Sequence, residues 1–240
     1  MANKTIEERI NLLEGLIIKQ SKVIEAQNLR IQRQEAVTEI QNVMSRLGYL
    51  DNAALPIMEL FATRTPGVSA KIAGLYNWEG PESIQKYLGP GGMIERMQKV
   101  ENKKGRLIVH ALASPVIEVA KDGKTAKAVW MSPGLETYSI EGKYEARWAW
   151  VKYACDFIKE DEHWKIWHFY LYTPIIMCSY YKSWVDSPTF RPGAGRKLPE
   201  ELQPSSYNDD WRPWTPDAVP ELRPAPPLPY ESWDNSDYMG

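Results

Sequence analysis

Four long stretches of two-residue periodicity in the second half of the chain limit its fold more than any other feature. Leu107 to Ala120, Ala126 to Ser132, Tyr144 to Lys159 and Trp164 to Met177 are rich in aromatic and β-branched residues. Successive side chains of a strand point to opposite faces, so these stretches predict strands. Short polar segments separate them: Lys121-Asp122-Gly123-Lys124, Ser139 to Gly142, and Glu160-Asp161-Glu162. Turns of that length join antiparallel neighbours, which predicts hairpins of one strongly curved sheet.

The first half has helical spacing instead. Residues 5 to about 48 contain no Pro, and no Gly apart from Gly15 and Gly48. They predict one long helix. Ile10, Ile17, Ile24 and Ile31 recur every seven residues, with Ile6, Leu13, Gln20, Gln27 and Gln34 at the second seam position. This a/d pattern predicts an oligomerisation arm, with a mostly polar second seam. Leu55, Met58, Leu60 and Phe61 suggest a short second helix ending near Thr63. The Arg64-Thr65-Pro66-Gly67 turn then leads to strand-like Val68 to Ile72 and Leu75 to Trp78. Pro81 opens a third helix running through Leu88, and Met93 to Val100 makes a fourth. Helices followed by a meander of strands predict an α+β fold with helices covering one face of the sheet.

From Pro188 onward the periodicity is lost, and eleven of the eighteen prolines lie there. Disordered segments are poor in aromatics, yet Trp211, Trp214, Tyr230 and Trp233 sit among these prolines. The tail is therefore expected to wrap over the domain or a neighbouring subunit. The predicted division is an arm over 1–34, a cone-like domain over 35–187 and the tail over 188–240.

Several functions are excluded on simple grounds. A net charge of -2, with no Lys/Arg stripe, argues against nucleic acid. No segment has the apolar length of a signal peptide or a bilayer span, so the chain is expected in the cytoplasm. Cys155 and Cys178 are too few for a disulfide framework or a Cys-rich zinc site. The three His residues lack ligand spacing, although His110 and His168 with Asp51 could in principle meet, so no metal is expected. Gly89-Pro90-Gly91-Gly92 follows a helix without a Lys-Ser/Thr step, which is not a phosphate-binding loop. Gly-x-Ser-x-Gly is absent. Ten Trp and thirteen Tyr against four Phe suit a pocket or interface where one end of the ring needs a hydrogen-bond partner.

Three local patterns carry a family resemblance. Arg46-Leu47-Gly48-Tyr49-Leu50-Asp51, then Met58-Glu59-Leu60-Phe61-Ala62, resembles an aromatic-x-Asp helix end followed by Leu-Phe-Ala. Gly80 to Leu88 is like the helix that closes the cone. His110-Ala111-Leu112-Ala113-Ser114-Pro115-Val116-Ile117-Glu118-Val119, then Trp164-Lys165-Ile166-Trp167-His168, completes the set. In this order they resemble the SnoaL-like (nuclear transport factor 2-like) superfamily over about residues 35 to 180. The nearest resemblance within it is to cofactor-independent lyases: bile-acid 7α-dehydratase, scytalone dehydratase and diarylpropane γ-formaldehyde lyase. Such relatives use a Tyr, an Asp and a His facing into the cone. The resemblance places His110 on the His and Asp51 on the Asp. The Tyr position is Arg46 here, which leaves Tyr49 or a strand tyrosine as the phenol.

His is the side chain best suited to proton transfer near neutral pH. An Asp beside it can fix its tautomer. The candidate catalytic residues are therefore His110, Asp51, Tyr49 and His168. The candidate substrate contacts are Arg46, Tyr76, Trp78, Trp148, Trp150, Tyr170 and Tyr172. His168, Tyr170 and Tyr172 share one face of their strand, as Trp148 and Trp150 share one of theirs. Alternation alone leaves open whether those faces line the cavity or form the outside of the sheet. His163, in a charged turn, is expected in solvent. The resemblance implies a lyase for a hydrophobic, hydroxylated aromatic or polycyclic small molecule, losing water or formaldehyde, as in aromatic-compound catabolism. It also implies a homo-oligomer, trimer or dimer. An isomerase or polyketide-cyclase type enzyme, or a non-catalytic binding module of the same fold, stays open beside it.

Overall fold

The computed structural model describes residues 5–98, 107–140, 143–179, 198–212, 215, 217, 219 and 222–234. It is α+β, with helices against one face of a curved, unclosed mixed sheet. Helix α1 (Ile6–Asn52) starts at a capping box in which Thr5 and Glu8 satisfy each other's backbone N–H groups. Ala36, Ile40, Val43, Met44 and Leu47 form its buried stripe, at the spacing that brings side chains to one helix face. α2 (Pro81–Leu88) begins with its proline at N1 and buries Ile84, Tyr87 and Leu88. α3 (Met93–Gln98) follows. The expected second helix is only a 3-10 turn over Met58–Leu60. Pro56, just ahead of it, and the extended Phe61 behind leave no room for a longer helix.

The strands are β1 (Ser69–Ile72), β2 (Tyr76–Glu79), β3 (Leu107–His110), β4 (Ala113–Val119), β5 (Thr125–Ser132), β6 (Gly134–Ile140), β7 (Lys143–Glu160), β8 (His163–Ser179) and β9 (Ser206–Tyr207). Along one path the order is β3-β6-β7-β8-β1-β2-β9, and β4 joins through β5 to β7. The β7–β8 hairpin is the spine, with Glu160 opposite His163 and Arg147 opposite Ser179. Not every pairing is antiparallel, because β1 lies parallel to β8.

The expected strand over 107–120 is broken between His110 and Ala113. Its partner explains the break. β5 and β6 run consecutively along β7 and are interrupted at Pro133, which has no N–H for the ladder. β3 pairs with β6 and β4 with β5, so the front strand breaks where the strand behind it breaks. Strand β6 was not expected: it fills the stretch between the expected strand ending at Ser132 and the expected turn at Ser139 to Gly142. Gly134 opens it opposite His110. A Cβ there would sit 2.5 Å from the Ala149 carbonyl oxygen and 2.9 Å from that of Val109.

Val151, Tyr153, Cys155 and Phe157 of β7 and Ile166 and Phe169 of β8 join the α1 stripe, Trp78, Ile84 and Tyr87 in one core. This is the inner face of the sheet. Lys152, Ala154 and Asp156, with Tyr170 and Tyr172, are on the other face. Segments of the described tail lie against that outer face, the β2 edge and the helices α2 and α3. Tyr207 pairs with Tyr76. Asp210 accepts from Tyr170 Oη at 2.9 Å and from both terminal nitrogens of Arg223 at 2.8 and 2.6 Å. Trp233 packs on Trp167 and His168, and the Lys127 ammonium sits 4.5 Å from its ring centre. Trp214 lies outside the described residues. No described helix is long and apolar enough to cross a membrane.

Candidate functional site

A cavity of about 420 Å³ opens between the end of α1 and the break after β3, lined by Ser45, Gly48, Tyr49, Asn52, Val109, His110, Ala111 and Leu112. Two residues of the helix end shape it. The Asn52 side-chain amide donates to the Ile108 carbonyl and pins the helix end to β3. Gly48 also faces the strand, where a Cβ would lie at an ordinary contact distance of 3.7 Å from the His110 carbonyl oxygen.

His110 is the group of the wall best suited to proton transfer. Its Nε2 lies 2.8 Å from Glu136 Oε1, and the two side chains are only 10% and 6% exposed. Its Nδ1 faces Tyr153 Oη at 3.4 Å. Glu136 is one strand away on β6, and Tyr153 is on the inner face of β7. The other carboxylate oxygen of Glu136 is buried without a hydrogen-bond partner among the described residues. A carboxylate so placed favours the tautomer with a proton on Nε2 and leaves the Nδ1 lone pair toward Tyr153. Burial, with the nearby Asp51 charge next, pushes the Tyr153 phenol well above its ordinary range. Tyr153 thus stays protonated and is a donor. Asp51 follows Leu47 by one helical turn, which continues the buried stripe toward Tyr153 and Tyr87; its charge also raises Tyr87, after burial.

The other expected site residues separate into groups. Tyr49 is on the cavity rim but 80% exposed. Arg46 is exposed and outside the cavity lining. Tyr76 and Trp78 are buried in the core, Trp78 stacked on Tyr87 with ring centres 5.4 Å apart. His168, Tyr170, Tyr172, Trp148 and Trp150 have the parity of the outer face, away from His110. His168 has a carboxylate of its own there, with Nδ1 2.8 Å from Asp156 Oδ2, and stacks on Trp167. His163 is exposed. Glu136 and Tyr153 did not emerge from the sequence. A signal was present for Tyr153, which shares parity with Val151, Cys155 and Phe157, whereas Lys152 and Asp156 mark the opposite face. Among the described residues, no three His, Cys, Asp or Glu side chains cluster as a metal site.

A family model for the SnoaL-like domain matches residues 32–170, more than half of the chain. The chain belongs to the SnoaL-like family. The matched span takes in the docked half of α1 and every strand from β1 to the middle of β8, and so the whole cavity wall. No curated protein matches the chain. Several solved structures resemble it. One is a candidate scytalone dehydratase from Novosphingobium aromaticivorans, 15% identical over 63% of this chain and 92% of its own, with a TM-score of 0.47. A hexachlorocyclohexane dehydrochlorinase, type 2, is 14% identical over 68% and 97%, at 0.46. An NTF2-like protein with a cystatin-like fold, also from Novosphingobium aromaticivorans, is 19% identical over 59% and 84%, at 0.42. Likeness at this level leaves the activity open.

Proposed function

We propose that this SnoaL-like chain is a cofactor-independent lyase acting on a hydrophobic, hydroxylated aromatic or polycyclic small molecule. The observation that carries the reading is His110 at the cavity wall, held between the buried Glu136 carboxylate and the buried Tyr153 phenol. With Nε2–H donated to Glu136, Nδ1 acts as the base and takes a proton from a substrate carbon next to an activating carbonyl or ring. The C–H electrons form the new C=C bond as the C–O bond breaks. Tyr153 gives its proton to the departing oxygen, which leaves as water, and recovers a proton from His110 Nδ1 across their 3.4 Å contact. Each group ends as it began, so no cofactor is consumed. If His110 instead takes the proton of a substrate CH2OH group, its oxygen forms the formaldehyde C=O, the C–C electrons form the new C=C bond as the C–O bond breaks, and Tyr153 protonates the departing oxygen as water. General acid–base catalysis of this kind is worth about 10²–10⁴-fold, and holding the substrate against Val109, Ala111 and Leu112 adds to it. Burial, with the Asp51 charge next, keeps Tyr153 protonated, and Tyr49 covers the rim.

The test is the mass of the product. Protein freed of metal is incubated with hydroxysteroids, hydroxylated polycyclic acids and diaryl diols, with His110→Ala alongside. A product lighter by water, or by formaldehyde and water, absent with the variant, is the expected result. A product of unchanged mass and shifted retention means isomerisation, and binding without any product means a binding module.

A further inference from the structure

The N-terminal arm carries an exposed apolar seam, well away from the cavity-lining end of the same helix. From Thr5 to Asn28 every residue of the helix is exposed, about 35 Å of helix at about 1.5 Å per residue. Ile6, Ile10, Leu13, Ile17, Ile24 and Ile31 are all between 49% and 77% exposed. A solitary helix of this length is marginal in water, because helices draw most of their stability from packing an apolar face. Yet the chain places a complete capping box, Thr5 with Glu8, at its far end. Where the arm reaches its own domain, the contacts are made by other residues. Arg33 donates to the Val119 carbonyl, and Leu29 touches the Gly123 turn. Ile31 is two residues from each, about 200° around the helix. The isoleucine seam thus faces away from the domain to which α1 is docked.

Charges beside the seam choose its occupant. With Ile10, Ile17, Ile24 and Ile31 at a, the g positions include Arg9 and Arg30 and the e positions include Glu14 and Glu35. In a parallel, in-register pair each g residue faces the e residue five positions later on the other helix, which sets Arg9 against Glu14 and Arg30 against Glu35. Antiparallel pairing would set g against g and e against e, Arg against Arg and Glu against Glu. We infer that the arm pairs in parallel and in register with the arm of a second copy of this chain. β-branched residues at a with Leu at d favour two strands, and Ile10 with Leu13 keeps that pattern near the far end of the arm. The Gln residues at d keep the seam weak enough to depend on both ends.

Cross-linking of the full chain tests this directly. Ile10→Cys and Ile24→Cys are made separately and oxidised mildly, with the unaltered chain as the background for Cys155 and Cys178. Parallel pairing in register brings each new thiol to its own copy, so both variants must yield a reducible dimer. An antiparallel pair can match at most one of the two positions. Cross-linking at one position or neither overturns the inference. The mass in solution is measured beside it. The chain is expected at twice 27.6 kDa, and Ile17→Asp with Ile24→Asp at once that mass. An unaltered chain that remains single at micromolar concentration, or a dimer that survives the double change, overturns it as well. None of these readouts depends on the activity of the cavity.

Discussion

At the scale of single residues, the proposed mechanism gives two carboxylates separate tasks. Glu136 orients His110 through one short contact, while Asp51 acts on Tyr153 from the helix end. Glu136→Gln keeps the shape but can donate to His110 where the carboxylate could only accept, which favours the wrong tautomer. Turnover is expected to fall by about 10²-fold or more, with KM changed much less, and Glu136→Asp should recover part of it. Steady-state kinetics of the three proteins checks this. Unequal residues were unequally legible. His110 and Asp51 could be named because they fall on positions of a recognisable pattern. Glu136 could not, because no strand was expected between Ser132 and the turn at Ser139, and Pro133 interrupts the alternation just before it. Arg46 and Tyr49 follow the pattern by position, yet both project from the exposed side of α1.

At the scale of elements, the sheet has two dissimilar faces, and the break at Pro133 ties strand geometry to chemistry. Gly134→Ala puts a methyl group against backbone oxygens from two strands. Neither strand can yield without moving His110 or Ala149. A stability loss of about 1–3 kcal/mol is expected, with lowered turnover, and thermal melts beside activity assays measure both. The alternation on β7 and β8 was legible, but which face pointed inward was not read. Lys152 and Asp156 would have marked the outer face, but a buried Asp–His pair there also resembles a catalytic dyad. On that face burial pushes the Tyr230 phenol up to about 12. A tyrosine whose folded pKa lies above its unfolded value of 10.0 holds its proton more tightly when folded. Its contribution is complete below pH of about 10 and is lost as pH rises toward about 12. Stability should therefore decline through this window, with tyrosinate absorbance appearing later than in the unfolded chain. Chemical denaturation across the window measures it.

At the scale of the whole molecule, the order of elements was readable because each change of period coincides with a change of element. The long helix, the α2 start at Pro81 and the long hairpins stand close to their expected bounds. The second helix did not form. The parallel β1–β8 pairing was not legible, since it joins residues about a hundred positions apart. Two His–carboxylate pairs of equal length, 2.8 Å each, lie on opposite faces of one sheet, and only the inner one belongs to the proposed mechanism. The decisive measurement is the rate of product formation by His110→Ala and His168→Ala on the same substrate. The account predicts a loss of about 10²–10⁴-fold for the first and a rate near that of the unaltered protein for the second. Equal losses, or a larger loss at His168, would contradict it.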